Sequence, residues 1–465
     1  MDPVLYWNSV LLEASRRDFT RGFPNGQQPG PIRTTRAMAI VHLAIHDAVA
    51  FQGGQAAKSY LARKAPGHGI VAPPAGMALE DVIAGAASEA IKAMYPKSAQ
   101  LVDDFTGPAT GPAFAYGQLI AQALIAYRAS DGWNVMLADD QKPNPSAPGH
   151  RADPYQPGQR RLGPVWGNVT RFTTTAPAGY HQPLNPYPTG PDYKTDFIEV
   201  RDYGAATRNR RSAEQERIGV FWGYDGANGL GVPPRLYNQV ARKIVVGKPF
   251  TTAQLADLFA RINVAMADAG IDAWHWKYHY DLWRPVVGVR LESGNDSDPF
   301  WAPYGVPRTN NTRATFTPDF PAYPSGHATF GAALFQVLRL AMATAGGAIQ
   351  LQDVLAVDSA ITAKKVPPKV AKETFTFVSD ELDGTTVDPD GSPRTRVEKT
   401  FNSFAEAVWE NSVSRIYLGV HWRFDGIPRT DVAGQRIGGV PLGLAIGQEA
   451  NQFFTGGPGA ISNLP

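Results

Sequence analysis

Apolar residues recur at helical spacing through segment after segment of this chain, while the alternation of a half-buried strand is almost missing. Thr34 and Thr35 precede an apolar-rich stretch, 37–51, that reads as a buried helix. Segments 78–95, 112–128, 213–222 and 234–246 read the same way. Thr251-Thr252-Ala253-Gln254 is a capping-box pattern that opens a periodic helix, expected to run to Gly270. Helices are further predicted over 271–283, 325–345 and 401–418, against a single strand at 374–378. Such a chain is expected to be mainly α, built of helical bundles joined by long Pro- and Gly-rich loops.

The loops are where composition matters. The chain has 465 residues with 39 Pro and 46 Gly, and 11 of the prolines fall between Gln141 and Asp192. Tyr, Trp and Phe are interspersed there, so this segment reads as a long packed connection rather than a flexible linker. It divides a single 1–465 unit into an N-terminal helical half, 1–200, and a C-terminal half, 201–465. Residues 379–396 read as an acidic loop, and the Gly-rich tail after Gly434 as a surface wrap.

The same counts exclude several function classes. Lys and Arg total 44 against 42 Asp and Glu, a net charge of +2 that suits neither a nucleic-acid binder nor a polybasic membrane module. With no Cys, disulfides, thiolate metal sites and cysteine nucleophiles are all ruled out. The N-terminus lacks a basic region followed by an apolar one, so no signal peptide is recognisable. The longest apolar stretch, 330–349, is broken by Gln336 and Arg339. A soluble chain without membrane partner is expected, cytoplasmic by default, with export by another route and a homo-oligomer both left open.

Two histidine pairs point away from catalysis. His42 and His46 stand at i, i+4, but Leu43 occupies the position where a zinc protease needs Glu, so they read as structural. His275 and His279 repeat that spacing around Trp276 and are read alike. The chain carries no P-loop, dinucleotide fingerprint or Gly-x-Ser-x-Gly elbow.

Three segments of the C-terminal half carry chemistry together. In Lys277-Tyr278-His279-Tyr280-Asp281-Leu282-Trp283-Arg284-Pro285, a helix would put Lys277 and Arg284 on one face, two turns apart. The surrounding aromatics imply burial, and two buried cations need an anion. In Pro324-Ser325-Gly326-His327, the start of a helix presents a hydroxyl and unpaired N–H groups at the positive end of the dipole. His327 in that first turn is placed to move a proton. In Ser414-Arg415-Ile416-Tyr417-Leu418-Gly419-Val420-His421-Trp422-Arg423-Phe424-Asp425, Arg415 adds a third cation. On a helix, Asp425 would hold the His421 ring N–H and leave its other nitrogen free as a ligand or nucleophile. A tetrahedral oxyanion is the guest this set fits.

The pattern Lys-x6-Arg-Pro, Pro-Ser-Gly-His and Ser-Arg-x5-His-x3-Asp resembles that shared by vanadium-dependent haloperoxidases and the type 2 phosphatidic acid phosphatase/bacterial acid phosphatase superfamily. Phe221-Trp222-Gly223-Tyr224-Asp225-Gly226, Trp274 and Phe320-Pro321-Ala322-Tyr323 look like the chloroperoxidase branch. The resemblance implies two four-helix bundles and vanadate as cofactor. It implies that His421 coordinates the vanadium through Nε2 and that Lys277, Arg284 and Arg415 neutralise the vanadate oxygens. Ser325 and the Gly326 N–H would add hydrogen bonds, and His327 would be the acid–base residue. Asp225 would pair with Arg415, and Trp274 and Phe320 would line the halide side of the pocket.

The implied activity is oxidation of halide (bromide, with chloride suggested by Phe320) by hydrogen peroxide, giving hypohalous acid that halogenates small organic acceptors. The alternative within the superfamily is a soluble acid phosphatase, with His421 as nucleophile of a phospho-histidine intermediate and His327 protonating the leaving alcohol. Chain length, the missing membrane spans and the aromatic pair Trp274 and Phe320 favour the peroxidase.

Overall fold

The computed structural model describes residues 1–107, 110–135, 149–159, 161–174, 193–291, 296–305, 309–310, 317–342, 347–429 and 437–456. Its spine is a 29-residue helix, Thr252–Tyr280, opened by the expected capping box: the Thr251 hydroxyl accepts from the Gln254 N–H and the Gln254 side chain accepts from the Thr251 N–H. Gly270 does not end this helix, so the predicted segments up to 270 and 271–283 are one element. The glycine marks a close approach instead, its bare Cα facing the Phe330 ring on a neighbouring helix. The helix stops at Tyr280, with Asp281 in the left-handed region at φ 47°.

Helices Pro3–Asp18, Gly30–Gln52, Leu79–Met94 and Pro112–Arg128 pack together in the N-terminal part. A second group gathers Thr252–Tyr280, Gly326–Ala341, Phe404–Tyr417 and Gly439–Thr455, and Gly30–Gln52 lies along the spine to join the two. The chain is thus mainly α with helical bundles, as expected. The Gly326–Ala341 helix is buried along its whole length, which explains its unbroken apolar sequence. Beyond 342, the predicted end of that helix falls on residues 343–345, outside the described ones.

The tail after Gly434 is the clearest correction. In place of a surface wrap, residues Gly439–Thr455 form a largely buried helix packed against Gly326–Ala341. Gly439, Gly443 and Gly447 recur every fourth residue, and a Cβ at any of them would collide with the carbonyl oxygens of Ser325, Thr329 and Ala333 in turn. Glycine here allows two backbones to touch.

Helix Pro3–Asp18, opened by the Asp2 side chain, and helix Tyr193–Tyr203 carry no expectation from sequence. The predicted strand forms as Phe375–Val378, paired antiparallel with Glu398–Phe401, and residues 379–396 connect the two. Of the Pro-rich connection, 149–159 and 161–174 are described and packed. The Leu162 carbonyl accepts from Trp274 Nε1 and the Tyr278 hydroxyl, and Asp268 accepts from the Phe172, Thr173 and Thr174 amides. The remainder lies outside the described residues. No described helix is long and apolar enough to cross a membrane.

Candidate active site

The three motifs converge where the spine helix ends and the Gly326–Ala341 helix begins. Lys277 sits in the last helical turn and is fully buried. Its ammonium donates to the carbonyls of Pro321, Ala322 and Pro324, so its protons are committed to the loop that carries Ser325. Arg284 is not on the same helix, because the chain leaves helical geometry at Asp281 and re-enters it only at Pro285. The two cations meet through the turn between these helices rather than along a shared helical face.

Arg284 is fully buried and donates through Nε to the Phe320 carbonyl at 2.9 Å and through Nη1 to the Val420 carbonyl at 2.8 Å. Nη1 also lies 2.9 Å from His421 Nε2. On the opposite side of that ring, His421 Nδ1 is 2.7 Å from the Asp425 carboxylate. The contact forms although His421 precedes the helical turn Arg423–Gly426. Nδ1–H donates to the carboxylate, which leaves the Nε2 lone pair directed at the cations.

Ser325 caps the Gly326–Ala341 helix, its hydroxyl accepting from the Ala328 N–H, and its own N–H donates to the Asp425 carbonyl. His327 is in the first turn. Its Nε2 lies 3.1 Å from the Trp222 carbonyl and 2.9 Å from the Gly223 carbonyl. Two acceptors at Nε2 require the proton there, so in the neutral ring Nδ1 is the base. Tyr237 and Asn411 hold the His327 carbonyl from behind. Arg415, at the end of helix Phe404–Tyr417, pairs through Nη2 with Asp225 at 2.6 Å.

The ionisable groups of the site are strongly shifted by burial and by one another. Burial, reinforced by Arg284, drives Lys277 well below the usual lysine range, and burial pushes Arg284 down to about 9. His421 is held well below the ordinary histidine value by burial and by Arg284, Lys277 and Arg415. Burial also lowers His327 to about 4 and raises Asp425 to about 7. Arg284 Nη2 and Arg415 Nε and Nη1 are buried without a hydrogen-bond partner, and so is Asp425 Oδ1. Unpaired buried guanidinium N–H groups are costly, on the order of 1–3 kcal/mol each or more. They fit a bound oxyanion, the chemistry that vanadate would present.

Trp274 and Phe320 stack obliquely, with ring centroids 4.7 Å apart. Lys277 Nζ lies 5.1 Å and Arg284 Cζ 4.9 Å from the Phe320 ring centre, so the aromatic wall is backed by cations. Arg415, His327, His421, Gly326 and Asp225 line one cavity of about 310 Å³ together with Trp274 and Phe320. All eleven candidate residues therefore belong to one neighbourhood. Further contributors escaped the sequence reading. Asp319 lines the cavity, and burial raises it to about 6. Phe19 and Pro29–Pro31 reach it from the N-terminal part, with no local signal in the sequence. Asp196 and Glu199 on helix Tyr193–Tyr203 brace the turn after His421: Asp196 accepts from the Phe424 amide, and Glu199 accepts from Nε and Nη2 of Arg423.

The rejected histidine pairs lie apart from this site. His42 Nε2 is 2.8 Å from the Asn8 side chain, His46 contacts Asp47, and the His275 and His279 rings lie parallel with centroids 6.4 Å apart.

A helical fold with three buried cations, a capped helix start and a carboxylate-held histidine defines an enzyme built around a bound oxyanion. Comparison with known proteins gives the family. Residues 1–106 match the vanadium chloroperoxidase N-terminal domain, and residues 257–446 match the second helical-bundle domain of that family. The vanadium chloroperoxidase of Curvularia inaequalis is 30% identical over 510 aligned positions, covering 92% of this chain and 80% of that protein. A bacterial vanadium-dependent iodoperoxidase superposes with TM-score 0.67 at 20% identity, covering 98% of this chain and 95% of that one. A bacterial vanadium-dependent chloroperoxidase gives 0.63 at 16%, covering 92% and 93%. The chain belongs to the vanadium chloroperoxidase family.

Proposed function

We propose that this chain is a vanadate-dependent haloperoxidase that oxidises halide with hydrogen peroxide and delivers the oxidised halogen to small organic acceptors. The observation that carries the reading is the set of unpartnered guanidinium nitrogens on Arg284 and Arg415 beside a histidine whose Nδ1 is tied to Asp425 and whose Nε2 lone pair faces the cations, in contact with Arg284 Nη1. Family membership agrees with it.

His421 would hold the vanadium through Nε2, in exchange for its contact with Arg284 Nη1. Arg284 and Arg415 donate to the oxyanion, Ser325 and the Gly326 N–H add hydrogen bonds, and Lys277 contributes charge while its protons secure the Ser325 loop. When bound, vanadate supplies a Lewis acid that needs no change of oxidation state to activate peroxide. His327 Nδ1 takes up and returns the peroxide protons, its tautomer fixed by the Trp222 and Gly223 carbonyls. Asp425 fixes the His421 ring, and Asp225 aims Arg415. Trp274 and Phe320 form the apolar side on which halide arrives. The whole 1–465 chain acts as one unit, supported by buried contacts such as Asn8 with Asn238 across the two halves.

The phosphatase reading uses the same cradle, and no observation favours it over the peroxidase. The test is bromide-dependent consumption of hydrogen peroxide by protein loaded with orthovanadate, run beside its thermal unfolding. Turnover is expected only with vanadate, bromide and peroxide together, and vanadate at about 100 times its Kd should add about 2.7 kcal/mol of stability. Absent turnover with brisk phosphate-ester hydrolysis by vanadate-free protein would overturn the reading.

A further inference from the structure

The two histidines of the site are held in different ways. His421 has the Asp425 carboxylate directly on its ring, whereas among the described residues no carboxylate hydrogen-bonds to the His327 ring. His327 Nε2–H instead meets the Gly223 carbonyl, and that carbonyl shares one peptide group with the Tyr224 N–H. The group is trans and planar, so its C=O and N–H point to opposite sides. On the far side the Tyr224 N–H donates to Glu381 Oε1 at 2.9 Å, the same length as the His327 contact. A single peptide group thus lies between the histidine and a carboxylate of the acidic loop 379–396.

The surroundings are built to keep it there. Tyr224 is fully buried at φ 51°, in the left-handed region that a bulky residue rarely adopts and holds only where its neighbours impose it. The loop grips the same turn at two further points. The Ser379 hydroxyl donates to the Phe221 carbonyl at 2.6 Å, and the Asp380 N–H donates to the Tyr224 hydroxyl at 2.9 Å. Glu381 is also fully buried, and its second oxygen accepts from Arg394 Nη1 at 2.8 Å and from the Thr309 hydroxyl. An N–H donor on each oxygen is the pattern of a carboxylate. A carboxylate that accepts from one end of a peptide group polarises it and makes the carbonyl at the other end a stronger acceptor.

We propose that Glu381 is a positioning residue for His327: through the 223–224 peptide group it holds the His327 proton on Nε2 and so keeps Nδ1 available as the base. The inference rests on the haloperoxidase reading and deepens it, since Nδ1 can exchange protons with peroxide only while the other nitrogen keeps its own. The same turn carries Asp225, so the loop also steadies the partner of Arg415.

The test compares the full-length protein with Glu381→Ala and Glu381→Gln. Nitrogen-15 shifts of the histidine rings in vanadate-free protein report the His327 tautomer, its signals assigned by their loss in His327→Gln. Wild type should hold the proton on Nε2, and Glu381→Ala should give a mixture of both tautomers. Loaded with orthovanadate, Glu381→Ala should oxidise bromide about 10- to 100-fold more slowly, the scale of outer partners of a metal site, with the KM for bromide unchanged. Glu381→Gln keeps an acceptor for the Tyr224 N–H without the charge, so it should lose only about threefold in kcat and move the His327 ring signals in the same direction. Asp388→Asn, which loosens the same loop at Arg394, should leave both readouts as in wild type. An unchanged His327 tautomer in Glu381→Ala, or an equal loss in Asp388→Asn, would overturn the proposal. If Glu381→Ala does not fold, wild-type ring shifts and turnover in Glu381→Gln overturn it equally. Absent bromide-dependent turnover in wild type would instead strike the haloperoxidase reading, and the ring shifts, which need neither vanadate nor turnover, would still decide the role of Glu381.

Discussion

The spine helix Thr252–Tyr280 carries two buried polar clusters, and they are built on opposite terms. Toward its start, Asn263 exchanges hydrogen bonds with Asn238, which accepts from Asn8, which in turn contacts His42. These groups are neutral and satisfy one another almost completely, leaving only the His42 Nδ1 without a partner. Toward its end, Lys277, Arg284 and Arg415 crowd together with three guanidinium nitrogens unpartnered. A closed neutral network fixes helix register, whereas an open cationic one is incomplete until an anion arrives. Burial alone does not separate structure from function here. The gathering of three unpartnered guanidinium nitrogens around one histidine does.

The largest effect that can break this contrast is on turnover. His421→Ala should lower bromide-dependent peroxide consumption by about 10³-fold, the scale of losing a preorganised group that acts directly on the reacting centre. Its unfolding midpoint without vanadate should stay near wild type. Asn263→Ala should do the reverse, lowering stability by about 1–3 kcal/mol through unpaired amides while vanadate-loaded turnover per folded molecule is kept. If Asn263→Ala were as inactive as His421→Ala, the two clusters would not be separable.

Acid sharpens the comparison at a smaller scale. His327 is held at about 4 in the folded chain by burial and Arg415, and His42 at about 3 by burial and Arg242. Both lie below the ordinary value of 6.5, so the unfolded chain takes up these protons first. Stability from each is present above pH 6.5 and is lost as pH falls, down to about 4 for His327 and about 3 for His42. For His327 the loss is about 3 kcal/mol, measured as the pH dependence of unfolding of vanadate-free protein. His327→Gln and His42→Gln should each flatten that dependence. Only His327→Gln should also depress turnover at neutral pH, by about 10²-fold or more.

How far the sequence shows this molecule depends on what each residue needs around it. Local patterns were enough for the capping box at Thr251, the buried helix around Ala37–Phe51 and the three motifs, because spacing along one segment carries them. Two misjudged elements failed for a tertiary reason. Gly270 and the Gly439, Gly443 and Gly447 series look like breaks in sequence, yet each lets another helix approach closely. The Lys277–Arg284 relation was right in substance and wrong in geometry, since Asp281 turns the chain before Arg284 is reached. The wall formed by Phe19 and Pro29–Pro31 left no trace in sequence, because it is defined only by where a distant loop docks.

The smallest of these effects tests the site's outer layer. Asp225 is slightly exposed and holds one arm of Arg415 through a 2.6 Å ion pair, leaving Nε and Nη1 for the oxyanion. Asp225→Asn keeps the shape and removes the charge, so the guanidinium loses its orienting partner while its own charge stays. Partners of this kind are worth about 10- to 100-fold in metal-site affinity or activity. Vanadate should therefore bind about tenfold more weakly, measured by restoring turnover with increasing orthovanadate. At saturating vanadate most of the turnover should return, because the chain retains His421, His327 and all three cations. A loss that persists at saturation would mean that Asp225 acts on the reaction itself rather than on the aim of Arg415. For a variant in the neutral cluster around Asn263, vanadate affinity should stay at the wild-type value, since nothing in that network waits for an anion.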